Sequence, residues 1–239
     1  MTVLLTRPKG DNGIVSQSLK EYGIDSCCCP LLKIIPVTFC DKNIIECNSQ
    51  YDFCIITSKN ALANMPRLKN LKAFYVVGES LSQAISQRFP GIDVVEAQTA
   101  SDLLDIIRSD KDRGKYLFVS GDKVTIDFSK ELKKINLECS RLVTYQTKPN
   151  ENNCITKAFN TRRIKGVVLF STFSAQCYIN EVERHGLLEK SKTLYHFLLG
   201  ENISRSIEKI PSHLQMVASY PTSKSLCSKI VEVLQRDKG

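Results

Sequence analysis

Hydroxyl-bearing side chains and glycines stand directly after most of the apolar runs that this sequence predicts as strands. In open parallel sheets, ligands bind beyond the carboxyl ends of the strands, where helix N-termini present backbone N–H groups to anions. The candidate binding residues in such positions are Arg7, Thr57, Ser58, Gly78, Ser80, Gly121, Ser171, Gly200, Asn202 and Thr222. For any single serine or threonine, plain capping of the following helix is the simpler interpretation. As a set, these residues favour an anionic ligand.

A tyrosine is the other residue with chemical potential. The stretch Arg141–Pro149 is a β-branched and aromatic run with Tyr145 in its middle. Several enzyme signatures are missing, because the sequence has no G-x-x-x-x-G-K-[ST] loop, no G-x-G-x-x-G turn and no G-x-S-x-G elbow. Chemistry therefore has to run on tyrosine, hydroxyls and backbone donors, and we expect neither a metal nor an organic cofactor.

The ten cysteines and three histidines form no metal-binding pattern. Cys27, Cys28 and Cys29 are adjacent, and on a strand Cys28 must face away from its neighbours, so the three cannot ligate one ion. We expect the cysteines to be reduced, small apolar residues of buried strands. The scattered histidines, each expected in the core or on the surface, are His185, His196 and His213.

The net charge of +8 favours an anionic partner. Nucleic acid is not expected, since there is no Lys/Arg block, zinc-finger spacing or aromatic-glycine RNA motif. A small polyanion fits the charge, and a solvated basic surface is the plain alternative. No run approaches about 18 apolar residues, so no membrane association is expected. Met1–Pro8 has the pattern of a buried strand rather than a secretory signal, which predicts a cytoplasmic protein.

Short apolar runs alternate with amphipathic segments along the chain. The predicted strands are Val3–Thr6, Ile24–Leu32, Phe53–Thr57, Phe74–Gly78, Ile92–Val95, Tyr116–Val119, Leu137–Tyr145, Val167–Ser171, His196–Gly200 and Gln215–Ala218. The predicted helices include Ser16–Tyr22, Glu79–Phe89, Asp102–Ser109, a helix that follows Asp122 and ends at Lys134, Ser174–Arg184, Ser204–Lys209 and Lys224–Gln235. This alternation predicts parallel sheets with helices on both faces.

The chain also contains a sequence repeat. Segments of its middle part have counterparts further on: Ile55–Ser58 resembles Val168–Ser171, Val76–Gly78 resembles Leu198–Gly200, and Thr99–Leu103 resembles Thr222–Leu226. The last unit of the first copy, Leu132–Glu138, instead matches Leu19–Asp25 near the N-terminus. The repeat therefore predicts two similar domains, one of which is discontinuous in sequence.

The predicted fold class is α/β, with two similar parallel-sheet (flavodoxin-like) domains. One domain comprises residues 1–34 and 149–239, and the other comprises residues 41–141. The chain crosses between them at 35–40 and 142–148, and these crossings can pair as a two-stranded antiparallel linker that serves as a hinge. Tyr145 would then lie in the linker and face the cleft between the domains.

Short motifs in this order resemble one enzyme family along most of the chain. They are Leu4–Pro8, Ile56–Ala61, Val76–Gly78, Thr144–Thr147, Phe170–Ser171, Leu199–Gly200 and Tyr220–Thr222 with Leu226. Each motif is weak alone, but their order and coverage make the chain similar to uroporphyrinogen-III synthases. These enzymes close linear hydroxymethylbilane to uroporphyrinogen III, with inversion of its last pyrrole ring.

The resemblance implies two α/β domains joined by a two-stranded linker, and a lyase without metal or cofactor. It implies a monomer that receives its polycarboxylate substrate from hydroxymethylbilane synthase. Tyr145 matches the family tyrosine proposed to assist loss of the substrate hydroxyl as water. A phenol is protonated at neutral pH and can donate to a leaving hydroxyl. The protein's main task would be to hold a flexible tetrapyrrole in the geometry for ring closure.

One loop departs from the family pattern. Relatives often have a Gly-Pro-Thr-Thr type of segment where this chain has Gly200–Ser204. Asn202 keeps a hydrogen-bonding group there, but Ile203 cannot replace a threonine hydroxyl and Glu201 adds a negative charge. Backbone N–H groups would then hold the ligand, or this loop binds it more weakly. The alternative function is a non-catalytic, two-lobed binding protein for a small polyanion.

Overall fold

The computed structural model describes residues 1–8, 10, 12–38, 51–66, 68, 70–110, 114–151 and 154–236. The chain forms two compact units. Unit 1 comprises Met1–Lys33 and Lys148–Gly239, and unit 2 comprises Ile34–Thr147. Of the predicted linker, residues 39 and 40 lie outside the described part of the chain. The predicted domain boundaries and the antiparallel pairing of the linker stay predictions.

Eleven strands and nine α-helices are found in the described residues. Strands β1 to β11 are Thr2–Leu5, Asp25–Cys28, Leu32–Pro36, Phe53–Ile56, Ala73–Val77, Asp93–Ala97, Tyr116–Gly121, Cys139–Pro149, Ile164–Leu169, Tyr195–Leu198 and Gln215–Val217. Helices α1 to α9 are Gly13–Glu21, Lys59–Asn64, Glu79–Arg88, Ala100–Ser109, Phe128–Lys133, Cys154–Thr161, Thr172–Arg184, Leu188–Ser191 and Ser223–Arg236. Two 3-10 helices, Glu201–Ile207 and Ser212–Leu214, complete the set. Among these helices, none is both long and apolar enough to cross a membrane.

The two sheets have the same arrangement of strands, with the chain entering at different points. Unit 1 has the order β11-β10-β9-β1-β2, and unit 2 has β6-β5-β4-β7-β8, with β3 beside β8. The pairs of strands within each of these five-strand sets are parallel. Strands β9, β10 and β11 thus correspond to β4, β5 and β6, while β1 and β2 correspond to β7 and β8. These are the matches that the sequence repeat predicted, so the α/β fold with two parallel sheets is confirmed.

Each sheet is buried between helices on both of its faces. The central strands of unit 2 show this best, because every residue of β4 and β7 is buried. Alternate side chains of these strands enter two separate hydrophobic clusters, one with Phe53, Ile55 and Phe118 and the other with Ile56 and Val119. Near-continuous apolar runs are typical of parallel strands that are covered on both faces.

Capping residues end and begin the helices largely where the sequence predicted. Ser58 caps α2, and Gly23 follows α1 with φ of +67°, a left-handed conformation in which glycine carries no Cβ penalty. Thr99, rather than Ser101, caps α4, because its hydroxyl accepts from Asp102 in a capping box.

Several elements of the structure differ from the prediction. The single strand Ile24–Leu32 is wrong, since Pro30 lacks a backbone donor and the segment divides into β2 and β3. The helix at Ser204–Lys209 is instead a 3-10 helix over Glu201–Ile207. Helix α6, at Cys154–Thr161, was not predicted at all, although its apolar residues Ile155, Ala158 and Phe159 have helical spacing.

The prediction of reduced cysteines is wrong for one pair. Cys29 and Cys154 form a disulfide with Cα atoms 5.4 Å apart, and it joins the two chain segments of unit 1. Because these cysteines are 125 residues apart in sequence, only the fold brings them together. Cys27 packs in the same cluster as Cys29, whereas Cys28 is exposed, as the alternation along a strand requires. The free cysteine Cys54 is buried in strand β4 as expected, whereas Cys177 and Cys227 are buried in helices α7 and α9 rather than in strands.

His196 lies in the core of unit 1 with no exposed surface. Its Nδ1 donates to the Leu194 carbonyl at 3.0 Å, since a carbonyl can only accept. Nε2 is therefore an acceptor, and the hydroxyls of Tyr178 and Ser191 lie 3.3 Å from it. These two hydroxyls are also 2.7 Å from each other, so one of them donates to the other and the second donates to Nε2. Burial lowers the pKa of His196 to about 4, although the hydrogen bond to Leu194 acts in the opposite direction.

This histidine should make the protein sensitive to acid. The unfolded chain binds a proton near pH 6.5 and the folded chain only near pH 4, so stability falls as the pH drops between these values. The loss should amount to about 3 kcal/mol. Urea unfolding at pH 7 and pH 4 should show this contribution in the wild type and not in His196→Gln. His213→Gln, which alters an exposed histidine, is the control. Equal pH dependence in the wild type and His196→Gln would contradict the assignment.

Candidate active site

A β-bulge determines where Tyr145 points. Strand β8 pairs with β7 in parallel register, with Val143 opposite Ser120, but Tyr145 is opposite Gly121. Thr144 is therefore the extra residue of the bulge. Its hydroxyl donates to the carbonyl of Ser120 at 3.3 Å, which satisfies this fully buried side chain locally.

The bulge moves the tyrosine to the opposite face of the sheet. In a regular strand, residues three apart face opposite sides. Here Leu142 and Tyr145 pack in the same hydrophobic cluster, together with Ile56 and Val119. Tyr145 is 7% exposed and lies on the face that helix α2 covers. Without the extra residue, its ring would lie on the other face, away from α2.

The phenol of Tyr145 contacts Ser58, the N-cap residue of α2. Its hydroxyl donates to Ser58 Oγ at 3.1 Å. The same oxygen accepts from the backbone N–H of Asn60 at 3.2 Å, which caps the helix. The helix N-terminus thus holds the serine hydroxyl in place, and the serine in turn orients the phenol.

Gly121, the last residue of β7, packs closely against the ring of Tyr145. A Cβ atom at this position would be 2.4 Å from Tyr145 Cζ and 2.8 Å from its hydroxyl oxygen. Contacts this short are not tolerated between non-bonded atoms, so the site requires glycine for close approach rather than for an unusual φ. Tyr145 therefore contacts two other predicted residues, Ser58 and Gly121.

A cavity of about 230 Å³ opens beside this tyrosine. Its walls combine hydroxyl groups, aliphatic side chains and one ammonium group. The lining residues are Thr57, Ser58, Val77, Ala100, Gly121, Lys123, Val124, Thr125, Ile126 and Tyr145. Since it lies at the carboxyl ends of β4, β5 and β7, it has the position expected for a ligand site in a parallel sheet. Such a cavity can accept an anionic substituent and place it near a phenol proton.

The other two predicted residues of unit 2 lie at the edge of this region. Gly78 precedes α3 with φ of +88°, and its neighbour Val77 lines the cavity. Ser80 is in the first turn of α3 and is exposed, but it is not among the lining residues.

In unit 1, the corresponding edge of the sheet gathers several predicted residues. The Arg7 guanidinium lies 3.9 Å from the centroid of the Phe170 ring, and its Nη1 donates to Ser223 Oγ at 3.4 Å. Thr222 precedes α9, and its hydroxyl accepts from the Ser225 N–H at 3.2 Å. Arg7 thus joins the ends of β1 and β9 to the start of α9. These contacts place a cation beside a helix N-terminus, which suits an anion.

The remaining predicted residues of unit 1 have capping contacts. The Ser171 hydroxyl accepts from the Ser174 N–H at 3.1 Å, so the plain capping interpretation describes this serine well. Gly200 has extended backbone and precedes the 3-10 helix that contains the exposed Asn202. Whether the loop from Gly200 to Ser204 binds a ligand stays a prediction.

A family model for uroporphyrinogen-III synthase HemD matches residues 15–228. This chain belongs to the uroporphyrinogen-III synthase family. The match covers all the strands except β1 and includes both Tyr145 and the cavity beside it.

Solved structures of this family share the fold. Uroporphyrinogen-III synthetase from Helicobacter pylori superposes with a TM-score of 0.59 at 12% identity, covering 98% of this chain and 99% of that one. A mutant uroporphyrinogen III synthase from Thermus thermophilus gives a TM-score of 0.57 at 11% identity, covering 99% of each chain. Identities this low establish the fold and not the roles of individual residues. A comparison with curated proteins finds no significant sequence match.

Sequence reasoning missed one wall of the Tyr145 cavity. The helix predicted directly after Asp122 begins only at Phe128, because Asp127 caps it by accepting from the Ser129 N–H. The residues in between form a loop that contributes Lys123, Val124, Thr125 and Ile126 to the cavity. The aspartate two residues before Ser129 was a usable signal, since aspartate is a preferred N-cap.

Proposed function

We propose that this protein is a uroporphyrinogen-III synthase, which closes linear hydroxymethylbilane to uroporphyrinogen III with loss of water and inversion of ring D. The observation that carries the proposal is the family match over residues 15–228. The fold shared with solved members of the family supports it. The reaction class would be that of a lyase acting in tetrapyrrole synthesis without a cofactor.

Tyr145 is the proposed catalytic residue. Its phenol would donate its proton to the hydroxyl of the substrate's hydroxymethyl group as the carbon–oxygen bond breaks. Water leaves, and the electron pair of the pyrrole nitrogen forms an azafulvene, which the terminal pyrrole ring attacks through its already bridged α-carbon to give a spiro intermediate. The old bridge bond of that carbon then breaks to leave a second azafulvene on the neighbouring ring, and the free α-carbon of the terminal ring attacks it, so that the ring is inverted. The proton lost when the pyrrole system regains aromaticity restores the phenol. The contact with Ser58 Oγ, at 3.1 Å, supports this role because it holds the phenol at the rim of a cavity.

Substrate carboxylates are the proposed ligands of the strand ends. Helix N-termini attract anions, and the net charge of +8 adds long-range attraction. The proposed binding residues remain those predicted from sequence: Arg7, Thr57, Ser58, Gly78, Ser80, Gly121, Ser171, Gly200, Asn202 and Thr222. A cavity of about 230 Å³ suits part of a tetrapyrrole, such as one substituted ring, rather than the whole molecule.

Hydroxymethylbilane synthase is the proposed source of the substrate, and a cytoplasmic monomer is the proposed state of the protein. No observation favours the alternative of a non-catalytic binding protein. The isomer of the product distinguishes the two functions. Hydroxymethylbilane cyclises by itself to the type I isomer, so a binding protein would leave this product unchanged, whereas the proposed enzyme diverts it to type III.

A further inference from the structure

The loop between β7 and α5 forms the wall of the Tyr145 cavity that carries its charge. Among the described residues that line the cavity, Lys123 is the one with a charged side chain. This loop has no regular secondary structure between Gly121 and Phe128. Its position must therefore come from contacts outside regular helix and sheet hydrogen bonding.

Arg141 on β8 supplies four hydrogen bonds to this loop and to the end of β7. Its guanidinium donates to Ser120 Oγ at 2.9 Å, to the Gly121 carbonyl at 2.7 Å and to the Asp122 carbonyl at 3.0 Å. It also donates to Asp127 Oδ2 at 3.0 Å. One side chain thus binds both the beginning and the end of the loop.

The environment strengthens this contact. The side chains of Arg141 and Asp127 are only 21% and 17% exposed, so water screens their attraction less than on an open surface. Burial opposes ionisation of Asp127, but the hydrogen bond from Ser129 and the charge of Arg141 outweigh burial and lower its pKa. The ion pair is therefore intact at neutral pH. A lysine could not replace it, because the ammonium lacks the planar fork that reaches several acceptors at once.

Two further hydrogen bonds of Asp122 join the same loop to β8, at the tyrosine and two residues after it. The Asp122 N–H donates to the carbonyl of Tyr145 at 3.0 Å. The Asp122 carboxylate accepts from the Thr147 N–H at 2.8 Å. A shift of the loop would therefore be transmitted to the backbone of Tyr145 itself.

We infer that Arg141 is a positioning residue, which holds this loop so that Lys123 meets a substrate carboxylate beside Tyr145. Lys123 would be a binding residue and Arg141 would act through it. The inference rests on the proposed function for its substrate. It explains why an arginine stands on the strand that also carries the tyrosine: its side chain, on the opposite face, fixes the cavity wall next to the phenol.

The kinetic test is a double-mutant cycle with hydroxymethylbilane as substrate. Lys123→Met should raise KM roughly tenfold and change kcat little, since a cation that binds substrate and transition state equally affects binding alone. Arg141→Met should lower kcat/KM by a factor of about 10 to 100. In the Arg141→Met background, Lys123→Met should lower kcat/KM little further, because the loop that carries Lys123 is already displaced. Independent effects that multiply would overturn the inference.

Three further variants separate positioning from general stability. Asp127→Asn keeps a capping side chain but removes the charge that Arg141 binds, so it should reproduce a good part of the Arg141→Met defect. Arg141→Lys should restore little of the kcat/KM that Arg141→Met loses. It can also take the place of Arg141→Met in the test if that variant does not fold. Arg108→Met removes an exposed ion pair with Asp105 and Glu131 in the same unit and should behave as wild type.

Limited proteolysis tests the loop without any substrate. Trypsin should cleave after Lys123 at least about tenfold faster in Arg141→Met and Asp127→Asn than in wild type or Arg108→Met, as mass spectrometry of the fragments would show. Unchanged cleavage would overturn the inference even if the protein is active. If the variants are cleaved faster but the wild-type protein yields only the type I isomer, the proposed function is refuted, while the role of Arg141 in holding the loop still stands.

Discussion

Replacing Tyr145 with phenylalanine should lower the rate of uroporphyrinogen III formation by a factor of at least about 100, the usual contribution of a positioned acid. The substitution removes only the hydroxyl, which donates to Ser58 Oγ. The ring keeps its place in the hydrophobic cluster, so the free energy of unfolding should change by no more than about 1 kcal/mol. The measurement is the initial rate of type III formation, with urea unfolding of the same samples.

Tyr178→Phe is the matched control for this experiment. Tyr178 is a fully buried tyrosine of unit 1, whose hydroxyl is 2.7 Å from Ser191 Oγ. Its loss leaves buried polar partners unsatisfied and should cost about 1–3 kcal/mol of stability, but should not alter kcat. If Tyr145→Phe turns over like the wild type, Tyr145 is not the acid and the mechanism is wrong, although the family membership is unaffected.

Gly121→Ala should lower both the stability and the activity of the protein, although it adds only one methyl group. Its Cβ would lie 2.4 Å from Cζ of Tyr145, so the ring, β7 or β8 must move. Overpacking of this kind costs about 1–3 kcal/mol, and a phenol displaced by even about 1 Å loses a large part of its catalytic effect. Gly121→Ala should therefore combine lower stability with a rate close to that of Tyr145→Phe.

Two further variants test whether contact with the tyrosine ring causes the destabilisation by Gly121→Ala. In a Tyr145→Leu background, which lacks the ring atoms of the clash, Gly121→Ala should cost less stability than it does in the wild-type background. Gly13→Ala is the control, because a Cβ there meets no atom within 4 Å and alanine favours the helix that begins at this residue. An equal cost of Gly121→Ala in both backgrounds would mean that contact with the tyrosine ring is not what makes position 121 intolerant.

The arrangement of strands could be predicted because it leaves a periodic signal. Apolar runs of parallel strands, each followed by a helix, recur along the whole chain, and their repeat includes Leu132–Glu138 matching Leu19–Asp25. That out-of-order match predicted the discontinuous domain, and the correspondence of β8 with β2 in the two sheets agrees with it. Serine and glycine at the strand ends were found for the same reason, since a helix start needs a cap.

The features that shape the site leave no such signal. The bulge at Thr144 adds one residue without changing composition, yet it decides which face Tyr145 occupies. The contacts of Arg141 and the Cys29–Cys154 disulfide depend on atoms that are distant along the chain. The loop that carries Lys123 was missed for a different reason, because the predicted helix began directly after Asp122 and the N-cap signal of Asp127 was not used.

The isomer distribution of the product tests the central claim most directly. Purified protein is mixed with hydroxymethylbilane made in place by its synthase, the products are oxidised, and the type I and type III porphyrins are separated by chromatography. With wild-type protein, hydroxymethylbilane should form predominantly the type III isomer instead of type I, in proportion to the enzyme added. With Tyr145→Phe, the product should remain mostly type I. Type I alone at every concentration of folded wild-type protein would contradict the account.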